Sequence, residues 1–170
     1  MAISLYETSV VSYLQVLDAI SGVLAKGAAH ADLDQESFVN SQMRDDMLPF
    51  HFQVNSVAHH SRGAIAGVLA GKFGPPPALE KTDYASLQQV VADAAATLGD
   101  VEPAEINVFE GKPVLFKVGD FEMPFTAENF LLSFSLPNFY FHATTTYSML
   151  RMAGVPLGKM DFLGALRGNA

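Results

Sequence analysis

The sequence predicts an all-α protein, an up-and-down four-helix bundle with a small β-hairpin inserted before the last helix. Three observations carry this. Apolar residues recur at three- and four-residue steps over four long stretches, the spacing that marks one buried stripe on a helix. Glycine and proline clusters separate those stretches. Between the third and fourth, residues 107–125 lose the helical period and read as two short strands around Gly119-Asp120.

The first helix is expected from Ile3 to about Ala28, with Leu5, Val10, Tyr13, Leu14, Leu17, Ile20 and Leu24 on its inner face. In the loop after it, Asp32 or Asp34 can cap a short helical turn. The second helix is expected from Asp45-Asp46-Met47-Leu48-Pro49, because acids and a proline suit a first turn, and it runs to Ala70, where Gly71 ends it. Phe50, Val54, Val57, Ala58, Ile65, Val68 and Leu69 form its stripe; Ser61, Gly63, Ala64, Ala66 and Gly67 are small enough to admit a close neighbour.

Phe73-Gly74-Pro75-Pro76-Pro77 breaks the chain. Thr82-Asp83-Tyr84 caps a third helix that continues through Leu98 and closes at Gly99. Thr126-Ala127-Glu128-Asn129 opens the fourth, which Pro137 should kink and Gly154-Val155-Pro156 should stop.

A chain of 170 residues fits one domain over 1–170. With 49% hydrophobic and 16% charged residues it is expected to fold into a packed body rather than stay disordered. The net charge is −8 and the ten Lys and Arg are dispersed, which argues against a nucleic-acid partner. Without cysteine, disulfides, thiolate metal sites and a cysteine nucleophile are excluded. Met1–Glu7 lacks a basic region ahead of its apolar residues, and no uninterrupted apolar run approaches the ~18 residues of a membrane span, so a soluble cytoplasmic protein is expected.

The pieces Asp46-Met47-Leu48-Pro49, Gln53-Val54, Pro137-Asn138-Phe139-Tyr140-Phe141-His142 and Gly154-Val155-Pro156-Leu157-Gly158-Lys159-Met160-Asp161-Phe162-Leu163-Gly164 resemble an uncharacterised family of the DinB/YfiT-like superfamily. The likeness spans nearly the whole chain, and its C-terminal piece is the most specific. It implies a DinB-like four-helix bundle, often dimeric. It also implies one histidine on the second helix and a His-x-x-x-His pair on the last, three imidazoles around a divalent ion with positions left open. His142 stands for the first member of that pair, but the residue four later is Thr146.

His142 lies in the most aromatic part of the fourth helix, so its nitrogens must find a partner or a ligand. Three readings follow. As a core histidine, it bonds to Gln53, Asn55, Asn138 or a threonine hydroxyl. As a metal ligand, it joins His51 and His59 around zinc or nickel. As a proton shuttle needing no cofactor, it works with Asp46 or Tyr147 on a small hydrophobic molecule, in isomerase, lyase or cyclase chemistry.

A ligand in such an interior pocket would meet His51, Asn55, Asn138, Phe139 and Thr146. Helical spacing puts His51 near the inner face and allows only one of His59 and His60 to share it. Asp45 and Asp46 read first as first-turn acids favouring the helix dipole, and Lys159 with Asp161 as a surface pair. The alternative to an enzyme is a non-enzymatic binding or structural bundle. Either is expected to be a homodimer, given the apolar composition and the small-residue helix faces.

Overall fold

The computed structural model describes residues 3–168, and within them the prediction of a helical protein holds, with more interruptions than the periodicity suggests. The first helix is two pieces, α1 (Leu5–Thr8) and α2 (Val10–Ala28), stepped at Ser9. There the hydroxyl turns back to donate to the Leu5 carbonyl at 2.6 Å. Taken together, Leu5–Ala28 is long and apolar enough to cross a membrane, although no uninterrupted apolar run is that long. Its inner stripe, Val10, Tyr13, Leu17, Ile20, Val23 and Leu24, is fully buried in the protein core. One turn, α3 (Gln35–Phe38), follows.

The second helix begins at Phe50, later than Asp45-Asp46 implies. Residues 39–49 form a turn-rich loop whose carbonyls serve the new helix. Ser41 O accepts from Phe50 N at 2.9 Å and Val39 O accepts from His51 N at 3.0 Å, satisfying first-turn amides that have no helical partner. The helix is α4 (Phe50–Ala58), a π-helical turn over His59–Gly63, then α5 (Ala64–Ala70), closed by Gly71 at φ +67°.

After Gly71, β1 (Lys72–Phe73) folds back along α5. Gly67 permits this: a Cβ there would lie 3.0 Å from the Phe73 ring. Beyond the proline segment come α6 (Tyr84–Gly99), capped by Asp83 accepting from Ser86 N, and α7 (Pro103–Asn107). The periodicity left α7 unmarked because it is only one turn long.

β2 (Pro113–Val118) and β3 (Phe121–Thr126) pair antiparallel from Pro113↔Thr126 to Val118↔Phe121. Gly119 supplies the positive φ of the two-residue turn. The expected hairpin is part of a three-stranded sheet, since β1 joins β2 in parallel with Lys72 opposite Leu115.

The last long helix is α8 (Ala127–Asn129), a second π turn over Phe130–Ser135, and α9 (Leu136–Met152). Pro137 sits in the first turn of α9, directly after the π turn, where its missing N–H costs least. A short α10 (Lys159–Leu163) then packs on α2. The core runs continuously through these elements: α2 lies on α6, and α4 is packed between α6 and α9.

Candidate functional site

The contact between α4 and α9 holds the chain's one direct side-chain bond from a glutamine to a histidine among the described residues. Gln53 is buried, one turn into α4, and its amide is held at both ends. Its Nε2 donates to the Leu48 carbonyl at 2.8 Å, which turns Oε1 toward α9, where it meets His142 Nδ1 at 2.8 Å. An amide oxygen only accepts, so His142 Nδ1 carries the proton and Nε2 is left with a lone pair. Nε2 has no hydrogen-bond partner among the described residues, and it is not sealed from solvent.

The first π turn brings His60 to the same place. Its ring stacks on His142 with centroids 5.9 Å apart and 17° between planes. His60 is 7% exposed, and its Nδ1 is buried with no partner among the described residues. Its backbone carbonyl accepts from Ser135 Oγ at 2.8 Å, and Ser135 in turn accepts from the buried Tyr13 hydroxyl at 3.1 Å. A π turn takes a carbonyl out of step with the regular helical ladder. A residue of the second π turn thus serves the backbone of the first.

Both imidazoles are held neutral. Burial, then the nearby His59 and His142, pushes His60 down to about 3. Burial pulls His142 down to about 4. Aromatic rings surround the pair: Phe52 and Phe141 are edge-on to His142, and Phe73 and Phe134 lie against His60. The Phe134 ring continues into Phe116, Phe125 and Phe130, linking the site to the sheet.

Apart from His59, whose ring lies 5.5 Å from that of His60, the other candidates are dispersed. His59 stacks on Phe73 at 4.4 Å and turns Nε2 to the Gly74 carbonyl at 2.7 Å. His51 and Asn55 line a separate cleft of about 340 Å³ with Phe52, Pro76, Pro77 and Leu79, and Asn55 Nδ2 donates to the Pro77 carbonyl. Asp46 is exposed and paired with Arg44 at 3.1 Å. The Tyr147 hydroxyl accepts from Arg151 at 2.9 Å, and its ring packs on Phe162 of α10.

Asn138 Nδ2 bonds to the Phe134 carbonyl, and Phe139 is a core residue set edge-on to Tyr13. Thr146, fully buried, donates back to the His142 carbonyl at 2.9 Å. Of the hydrogen-bond partners proposed from the sequence, only Gln53 reaches the His142 ring among the described residues. His60 is the neighbour that the spacing left open against His59.

The divalent site implied by the resemblance can be tested on these donors. His60 and His142 are adjacent, but the third position is Thr146, whose hydroxyl is committed to its own helix, and His59 is committed to Gly74. Among the described residues no three His, Asp or Glu side chains converge. The arrangement does not fit a three-imidazole site. What it offers is an unprotonated imidazole nitrogen beside a second neutral imidazole, walled by aromatic rings.

A protein-family model described as a domain of unknown function (DUF1993) matches residues 5–163. No curated protein matches the chain. Among solved structures, the crystal structure of a DinB family member protein from Shewanella denitrificans superposes with a TM-score of 0.79. It is 26% identical, and the match covers 98% of this chain and 95% of that one.

Proposed function

The chain belongs to the DUF1993 family, domains of unknown function with a DinB-like structural relative, and from that premise we propose that it acts on a small hydrophobic molecule through His142. One observation carries the reading: the Leu48–Gln53–His142 series of hydrogen bonds leaves Nε2 unprotonated and within reach of solvent. A neutral imidazole of this kind takes a proton from carbon or oxygen without first having to lose one. The ring walls favour an apolar substrate, and proton abstraction by such a base is a step that isomerase, lyase and cyclase chemistry share. Neither Asp46 nor Tyr147 is needed, since each is engaged elsewhere.

The test is proton exchange. With a panel of small apolar ketones and aldehydes in deuterated water, the protein should speed deuterium uptake next to the carbonyl, and His142→Ala should abolish that while keeping its helical circular dichroism. No acceleration on any member of the panel counts against the enzyme.

A second reading, a non-enzymatic binding or structural module, is favoured by a different observation. His142 lines neither the cleft at His51 nor the groove of about 480 Å³ along Met43, Met47, Pro137, Tyr140 and Phe141. If His142→Ala lowers stability by several kcal/mol and no compound shifts the melting temperature, the module reading wins.

The architecture in this reading is an up-and-down four-helix bundle, supported by the packing of α2 on α6 and of α4 between α6 and α9. The protein in this reading works as a homodimer in the cytoplasm, without membrane or nucleic acid. Leu48, Tyr140 and Phe141, each at least 40% exposed, support the dimer. Light scattering on the eluting protein tests it, and a monomer mass at 100 μM or so would remove it.

A further inference from the structure

The structure assigns to Gln53 the role of positioning residue for His142: it selects which of the two imidazole nitrogens is offered to a substrate. This rests on the reading of His142 as a base and supplies what that reading requires. A histidine held by nothing exchanges between two neutral tautomers, and only one of them has a bare Nε2.

Gln53 can make the choice because it cannot itself turn over. Flipping its amide would bring Oε1 against the Leu48 carbonyl and Nε2 against His142 Nδ1, replacing a donor–acceptor pair by two facing acceptors. The Leu48 carbonyl belongs to the loop entering α4, just before Pro49. It is kept in place by the backbone bond from Phe50 N to Ser41 O beside it. The fixed element is therefore the loop; Gln53 transmits its polarity to α9. The side chain is 2% exposed, so water does not compete for either bond.

The role differs from that of an ordinary buried glutamine. A glutamine serving only to fill space could be replaced by methionine, which has nearly the same length, with no change at His142. A glutamine that sets the tautomer could not.

The test is nitrogen-15 NMR of the whole protein labelled at histidine, read through the two-bond couplings that tell a protonated ring nitrogen from a bare one. His142 is assigned by comparing spectra of single variants at His30, His51, His59 and His60. In the unmodified protein at pH 7, His142 should show Nδ1 protonated and Nε2 bare, as one species. In Gln53→Met the Nδ1–H form should no longer be exclusive, and the Nε2–H form should appear.

Should Gln53→Met fail to fold, Gln53→Asn, which draws the oxygen back by one methylene, should show the same loss. An Nε2–H tautomer in the unmodified protein overturns the assignment. So does exclusive Nδ1–H in a folded Gln53 variant. Failure of the base reading looks different: the tautomer is then as stated and responds to Gln53, while no substrate exchanges deuterium.

Discussion

At the scale of single residues, His60 is the most costly group at the site. It is nine-tenths buried, carries a nitrogen with no partner among the described residues, and stacks on another neutral imidazole. In the unfolded chain its imidazole takes up a proton near its ordinary value of 6.5, whereas in the folded state it does so only at about 3. Above pH 6.5 both states hold it neutral and it makes no pH-dependent contribution. As pH falls below 6.5, only the unfolded state gains the proton, and stability declines until pH approaches 3.

The slope is about 1.4 kcal/mol per pH unit for one such group. Denaturant titrations at pH 7.0 and 5.5 should therefore show the protein weaker at the lower pH. His60→Phe, which keeps a ring and removes the orphan nitrogen, should lessen that difference and leave stability at pH 7 within about 1 kcal/mol of the original. An unchanged pH slope would mean that His60 is not the responsible group. His142 contributes in the same direction, and more weakly because it is less deeply buried and its fall is smaller. His142 was legible from its aromatic neighbours. His60 was not separable from His59, because adjacent residues differ in burial only by the phase of the helix.

At the scale of elements, that phase is set by the two π turns, and neither has a signature in composition. Apolar periodicity locates α2, α4, α6 and α9 because burial of a stripe is what holds each helix in place. It gives no sign of the extra residue that turns the helix after His59, nor of the one after Phe130. The late start of α4 was hidden for a related reason, since Asp45 and Asp46 suit a helix start while the amides of Phe50 and His51 already have partners in the preceding loop.

The two π turns meet through Ser135, which accepts a hydrogen bond from the Tyr13 hydroxyl and donates one to the His60 carbonyl. Ser135→Ala should leave both buried groups without partners and cost about 2–4 kcal/mol in chemical denaturation. A loss below about 0.5 kcal/mol would show that the link does not hold the turns together. Gly27 offers a second check on helix contact. A Cβ there would collide with the Tyr84 hydroxyl, which donates to the Leu24 carbonyl at 3.0 Å. Gly27→Ala should lower stability by about 1–3 kcal/mol although alanine is the better helix former.

At the scale of the whole molecule, the C-terminal segment that carries the most specific family likeness fastens the fold rather than building the site. Gly154 turns the chain at φ +92°, and Asp161 accepts from Gly158 N at 2.7 Å and pairs with Lys26 of α2. Leu163 O then accepts from Gln15 on the same helix at 3.0 Å. Gly164 adopts φ +63° where a Cβ would lie 3.2 Å from Ala19. Gly164→Val combines an unfavourable backbone with a steric conflict, and should lower the unfolding free energy by about 2 kcal/mol or more. Asp161→Ala, which breaks only an exposed pair and one cap, should cost about 1 kcal/mol or less. A reversed order of these two effects in denaturant titrations would refute the fastening role.

The facing π turns have a consequence for any chain aligned to or built upon this one. Each is a local change of register: the residues beyond it are rotated by roughly 100° against a plain helix. Removing one residue from either turn would swing half a helix away from its neighbours while leaving every residue type intact. Because the two irregularities lie against each other, a matched deletion in both helices is the edit with a chance of preserving the seam. Gaps placed in only one of them, however well the letters agree, would set His60 or His142 on the wrong side of its helix.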